Sequence, residues 1–237
     1  MKHTTVLIGN FGSGKSELAI NMALSSVKSG KKTVVVDIDL INPYFRISER
    51  KSLLEENGIK LIYPRYAMTG VEATSIPPEV YSVFIDDHET VIFDAGGDPT
   101  GAIALGQYRA NFAELSRLDV FYIINGRRPL SSEVDQNIAL LDKIQSSARL
   151  SITGLVNNTN LAHETGIFDL LFGYDLISHI SEQTDIPIAM TMGTAPVLDE
   201  LSKYIENGTL DQRYIGKLYP IKRYMHRDWN TFTHLGI

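Results

Sequence analysis

The chain has 237 residues, 43% hydrophobic and 21% charged, an ordinary globular balance that excludes wholesale disorder. Its 22 Lys and Arg against 28 Asp and Glu give a net charge of −6, which argues against the dominant basic surface that nucleic-acid binders use to displace counterions. The absence of cysteine excludes disulfides, thiolate metal sites, cysteine nucleophiles and an iron–sulfur cluster held by the chain's own thiols.

In chain order, short segments rich in β-branched and aromatic residues recur at 4–8, 33–36, 59–63, 90–93, 120–124, 151–156 and 186–190. Most are near-continuous apolar runs, the pattern of parallel strands buried on both faces. Helical spacing lies between them. It begins with Leu18, Met22, Ala23 and Val27, and is clearest over 131–149, where Val134, Ile138, Leu141 and Ile144 recur at intervals of three and four after Pro129 and the Ser131-Ser132 pair. Strands alternating with helices predict a doubly wound, mainly parallel α/β sheet that binds its ligand at the carboxyl ends of the strands. The stretch 64–78, with Gly70 and the Pro77-Pro78 pair, reads as a long surface connection. From Gly208 the pattern weakens, so 208–237 is expected to be a C-terminal tail of a single domain over 1–237. That tail mixes Lys222, Arg223, Tyr224 and Arg227 with Trp229 and Phe232. No apolar run approaches the ~20 residues needed to span a bilayer, and even 168–177 carries Asp169 and Asp175. The N-terminus has no signal-peptide pattern, so the expectation is a soluble cytoplasmic protein.

The first strand segment runs into Gly9-Asn10-Phe11-Gly12-Ser13-Gly14-Lys15-Ser16, a match to G-x-x-x-x-G-K-S, the Walker A pattern of P-loop NTPase architecture. Glycines let the backbone wrap an anion with its N–H groups inward, and the helix N-terminus adds partial positive charge. Lys15 would neutralise the β- and γ-phosphates and Ser16 would ligate Mg2+. A carboxylate to hold the metal's shell should come from a neighbouring strand end. Val91-Ile92-Phe93-Asp94 ends in such a residue and continues into Ala95-Gly96-Gly97, giving D-x-x-G, while Asp37 and Asp39 close the segment at 33–36 with period-two spacing.

An N-terminal Walker A, a D-x-D after the second strand and a later D-x-x-G together resemble the MinD/ParA/CobQ-type superfamily of the SIMIBI class. The resemblance covers most of 1–200. It implies that Asp39 positions attacking water, that Asp37 is its neighbour in the metal shell, that Asp94 with Gly97 forms switch II, and that Asn157 contacts adenine. The 192–196 loop, with Pro196, is similar to the segment lining the far side of the base. One departure matters mechanistically: MinD and ParA carry a lysine just after the first glycine that reaches a partner subunit, whereas this chain has Asn10. Arg46, Arg109, Arg127 and Arg128, close to strand-end loops, are the candidate replacement cations.

Guanine presents adjacent N–H donors that a carboxylate accepts, as in N-K-x-D motifs. Here the segment reads Asn157-Asn158-Thr159-Asn160, and an asparagine amide complements adenine's N6 donor and N7 acceptor, so ATP is expected over GTP. His163-Glu164 lacks the second histidine of a zinc protease, and no G-x-S-x-G elbow occurs. The expectation is a Mg-dependent ATPase switch acting on a protein partner, with ATP-dependent homodimerisation open. Two alternatives remain at this point: a carboxylate-activating biosynthetic enzyme like dethiobiotin synthetase or the cobyrinate synthases, and a nucleotide-sensing module with negligible turnover. The segment 98–109 after switch II is a candidate partner surface.

Overall fold

The structure, a computed structural model, describes residues 2–39, 46–64 and 76–225. Its strands are β1 (His3–Ile8), β2 (Thr33–Asp37), β3 (Lys60–Ile62), β4 (Thr90–Asp94), β5 (Leu118–Ile124), β6 (Gly154–Asn157), β7 (Ile188–Gly193) and β8 (Lys217–Pro220). All pair in parallel in one sheet of order β3-β2-β4-β1-β5-β6-β7-β8. The expected α/β class and doubly wound sheet are therefore what the chain adopts.

Alternation along the strands covers both faces. Val6, Ile8, Val36, Phe93, Tyr122 and Ile124 point into one core beneath α3 (Ser82–Ile85), α4 (Pro99–Gly106), α5 (Arg109–Ala113), α6 (Val134–Ala148) and α7 (Ile167–Thr184). Leu7, Val35, Ile92, Ile123 and Val156 point into the other, against α1 (Lys15–Lys28) and α2 (Lys51–Glu56). A third apolar cluster joins α7 to α8 (Ala195–Glu206) through Leu170, Leu198 and Leu201. The chain leaves β1 toward β2 and later crosses back to β5, so the carboxyl end of β1 lies at a reversal of winding where a crevice opens.

Three expectations shift for physical reasons. The last predicted strand, 186–190, begins instead at Ile188, because Pro187 has no N–H to give a ladder and contributes only its carbonyl, to Leu155 N (2.9 Å). The helix expected over 131–149 starts at Val134, since Pro129–Ser131 form a 3-10 turn and Glu133 is extended. The weakly patterned tail contains β8, which the sequence reading did not foresee. Gly216 permits it: at φ +64 it lies so close to β7 that a Cβ would meet the Ile188 carbonyl at 2.5 Å. Of the expected surface connection, 65–75 lie outside the described residues, as do Arg227, Trp229 and Phe232 of the tail.

Candidate functional site

The loop between β1 and α1 is built around Lys15. The residue is 8% exposed and its ammonium donates to the carbonyls of Gly9 (2.9 Å) and Asn10 (3.1 Å), so the side chain folds back over its own loop. Burial lowers its pKa, opposed by Asp94, Asp39 and Asp98. Gly14 caps α1 in the left-handed region at φ +95, and a Cβ there would stand 2.0 Å from Asn158 Nδ2. That amide donates to the Ser13 carbonyl (2.6 Å), so the loop is fastened to the segment after β6. Phe11, Gly12, Gly14, Lys15 and Ser16 line a cavity of about 720 Å³ over the strand ends. Ser13 is buried with its hydroxyl unpartnered.

On one side of this loop stand the carboxylates. Asp37 and Asp94 are partners in the β2–β4 register, and both line the cavity with Asp39. Ser16 Oγ donates to Asp94 Oδ2 (2.5 Å), Asp39 N donates to Asp37 Oδ1 (3.0 Å), and Arg46 donates to the Asp39 carbonyl. Asp94 Oδ1 and Asp37 Oδ2 are buried without a hydrogen-bond partner, which is the donor chemistry of a hard cation. Among the described residues no three His, Cys, Asp or Glu side chains converge to hold a metal by themselves. A Mg2+ held by Ser16 would therefore draw part of its shell from phosphate and water, with the carboxylates orienting it. Gly96 packs against the Asp39 side chain, and Gly97 against the Phe11 backbone, where a Cβ would meet the amide at 2.7 Å. The D-x-x-G segment thus touches both the phosphate loop and the D-x-D.

Burial pushes the Asp37 carboxyl up to about 8, with Asp94 adding to it, and burial raises Asp94 to about 6. Both carboxyls hold a proton in the folded state at pH values where the unfolded chain has released it. Their contribution to stability is full below the unfolded value of 3.8 and is lost as pH rises through 6 and then 8. Without divalent cation or nucleotide, the melting temperature is expected to fall between about pH 4 and about pH 8, and Asp37→Asn should flatten that decline. Equal slopes in a melting series of the two proteins would contradict it.

The opposite wall comes from Asn158, Asn160, Ala162 and Thr165 after β6, Met192, Gly193 and Thr194 at the end of β7, and Ile221, Arg223 and Met225 after β8. The structure does not bring Asn157 to this wall. Its side chain is 2% exposed, accepts from Thr159 N (3.1 Å) and lies against Gly173 of α7, with Nδ2 unpartnered. Asn157 is still inside the ladder, opposite Ile124 and Thr191, so its orientation is set by the pleat and by α7, and the amides facing the cavity are those of Asn158 and Asn160. Pro196 sits in the first turn of α8 behind Thr194, also off the wall.

Asn10 serves the scaffold. Its amide donates to Ser131 Oγ (3.0 Å) and the Leu130 carbonyl (3.2 Å), while its oxygen accepts from Phe11 N (2.8 Å). Of the four arginines, Arg109 lies off the cavity, and Arg127 is committed to Asp169 (2.7 Å) and stacks over Phe172. Arg46 and Arg128 line the cavity, the latter donating through Nε to the Gly12 carbonyl at 3.3 Å. Asn10→Lys is accordingly expected to cost about 1–3 kcal/mol through the unsatisfied Ser131 and Leu130 groups, with no rise in ATP turnover. Chemical denaturation beside steady-state hydrolysis checks both; a stable variant with raised turnover would contradict them.

Sequence reasoning missed Asn158, Asn160 and the 221–225 wall. Asn158 carried a local signal, its place one residue beyond the strand. The wall after β8 carried none, since its contacts are with residues some two hundred positions earlier.

No protein-family model matches the chain, and no curated protein is significantly similar to it. Solved structures share its fold. The cell division protein FtsY of Thermotoga maritima superposes with a TM-score of 0.56 at 15% identity, covering 81% of this chain and 61% of that one. Chloroplast FtsY of Physcomitrella patens gives 0.56 at 15% over 81% and 58%. The signal recognition particle receptor FtsY of Elizabethkingia anophelis in complex with GDP gives 0.53 at 16% over 81% and 57%. The chain thus spans about three-fifths of the length of the FtsY structures it matches, and the likeness establishes the fold.

Proposed function

We propose that the protein is a Mg-dependent ATP-binding switch of the SIMIBI class that hydrolyses ATP and acts on a protein partner. The observation that carries the reading is the Walker A loop at the β1 reversal, with Lys15 curled over it and Ser16 bonded to the strand-end Asp94. Lys15 releases the Gly9 and Asn10 carbonyls to engage phosphate, and the loop amides and the α1 N-terminus take the remaining negative charge. Ser16, with Asp94 and Asp37 behind it, would hold Mg2+, which would supply charge neutralisation at the phosphates. Asp39 orients the attacking water, and Arg128 at the loop's mouth is the cation best placed to stand in for the lysine that Asn10 replaces. The contacts of Gly96 with Asp39 and Gly97 with Phe11 supply a route by which loss of the γ-phosphate reaches α4 and the 98–109 surface. ATP-dependent self-association through that surface is one form the partner interaction takes in this reading.

Adenine is favoured by the far wall. Among the described residues that line it there is no carboxylate to accept the two donors of guanine; the cavity's acidic residues are Glu17, Asp37, Asp39 and Asp94. Glu17 is engaged by backbone amides, and the aspartates stand by the phosphate loop. FtsY of E. anophelis binds GDP, so the base is the point at which this chain would part from its structural neighbours. Mg·ATP is expected to bind at least about tenfold more tightly than Mg·GTP. Competition of the two against a fluorescent ATP analogue tests it, and a GTP preference would overturn the base assignment. Phosphate release under single-turnover conditions separates hydrolysis from mere sensing.

A further inference from the structure

The segment after β8 turns back from the far edge of the sheet and runs across the first two turns of α1. Asn21 and Lys222 bond reciprocally, Asn21 Nδ2 to the Lys222 carbonyl and Lys222 N to Asn21 Oδ1, both at 2.9 Å. Glu17 accepts two successive amides, Tyr224 N at 2.6 Å and Met225 N at 3.0 Å, and Arg50 Nε donates to the Tyr224 carbonyl at 2.6 Å. Ile221, Tyr224 and Met225 pack against the core cluster to which α1 contributes Leu18, Ala19 and Ala23. Ile221, Arg223 and Met225 also line the cavity, so the strap is at once a brace on the phosphate-loop helix and a wall of the site.

We infer that the 221–225 strap is the base-binding wall of the nucleotide site. The inference rests on the nucleotide-binding reading above. From the Walker loop the cavity extends two ways. Toward β2 and β4 its lining is Asp37, Asp39, Asp94 and Arg46, a charged surface suited to a metal and phosphates. Toward β6, β7 and β8 it is amides, small groups and the strap, a surface suited to a flat heteroaromatic ring. A guanidinium plane and a thioether beside that ring supply stacking and polarisable contact without a hydrogen-bond pattern, so the strap grips the base while neighbouring amides read its edge. Because the strap's anchor, Glu17, is the residue after Ser16, filling the base end tightens the same helix whose N-terminus faces the phosphates.

The test compares Mg·ATP with Mg·tripolyphosphate, which engages the phosphate loop and has no base. Arg223→Ala with Met225→Ala removes the wall contacts, and Asn21→Ala loosens the strap from outside the cavity. Each is expected to weaken Mg·ATP about tenfold or more while leaving tripolyphosphate within about twofold, and hydrogen exchange at the Tyr224 and Met225 amides of the unaltered protein should slow with ATP but not with tripolyphosphate. Unchanged ATP affinity in the variants, equal weakening of both ligands, or exchange indifferent to ATP each overturns the strap's role. Failure of the unaltered protein to bind either ligand would instead overturn the phosphate-site reading.

Discussion

Replacing Lys15 with alanine should reduce Mg·ATP affinity by about 10–100-fold while leaving the protein folded, because a charge-assisted contact to phosphate is worth roughly 1.5–3 kcal/mol. The geometry argues for the second half as strongly as the first. The ammonium is buried, its pKa is depressed by that burial, and it donates to two carbonyls of its own loop. A group in that condition is a cost to the fold, offset when phosphate arrives. The variant should therefore melt at or above the temperature of the parent without nucleotide, yet gain much less on adding Mg·ATP. Calorimetry and a thermal shift series read the two effects separately. Full affinity in a folded variant would remove the phosphate site, and a collapsed fold would show that the lysine serves the core.

Asp39→Ala should separate turnover from binding. Asp39 lines the cavity beside Gly96, its carbonyl held by Arg46 and its amide by Asp37, so the backbone at this point is fixed by contacts that do not involve its carboxylate. Removing the carboxylate leaves the phosphate loop and the Ser16–Asp94 pair in place. A group that orients water in the transition state contributes on the order of 10²–10⁴ to the rate, so kcat is expected to fall by that factor with the ATP dissociation constant changed by less than about threefold. A collapse of affinity with unchanged kcat would assign Asp39 to ground-state binding of the metal.

What could be read in the sequence follows how local each feature is. The Walker loop is legible because its glycines and lysine act within a few residues of one another: Gly14 caps the helix, and Lys15 bonds to Gly9 and Asn10. The parallel sheet is legible because strands covered on both faces are continuously apolar, as Val34, Val35 and Val36 are. Asn157 lies off the cavity and Asn158 on it, a difference of a single residue at the strand end that the pleat turns into opposite faces of the sheet. β8 escaped notice because an edge strand of four residues, Lys217–Pro220, half exposed and ending in proline, carries no apolar run. The role of Asn10 lies in bonds to Leu130 and Ser131, more than a hundred positions away, and no local pattern encodes such a clamp.

The position of β1 sets a timetable for the nascent protein. The strand that carries the phosphate loop precedes both of its sheet neighbours in the chain, since these are β4 and β5, which end at Asp94 and Ile124. Until both have emerged, the loop has no ladder on either side, Ser16 has no Asp94 and Asn10 has no Ser131 to hold. Loop closure over such separations is slow relative to helix formation, so α1 forms early while the site it opens on waits. The strap on Glu17 and Asn21 is later still, since its residues follow Pro220. Nucleotide affinity should therefore appear in two stages during synthesis, a weak phosphate-directed stage once β5 is in place and a tight one only when the last described residues dock. A chain stalled between them would hold nucleotide loosely and leave uncovered the part of the core cluster on which Ile221, Tyr224 and Met225 pack.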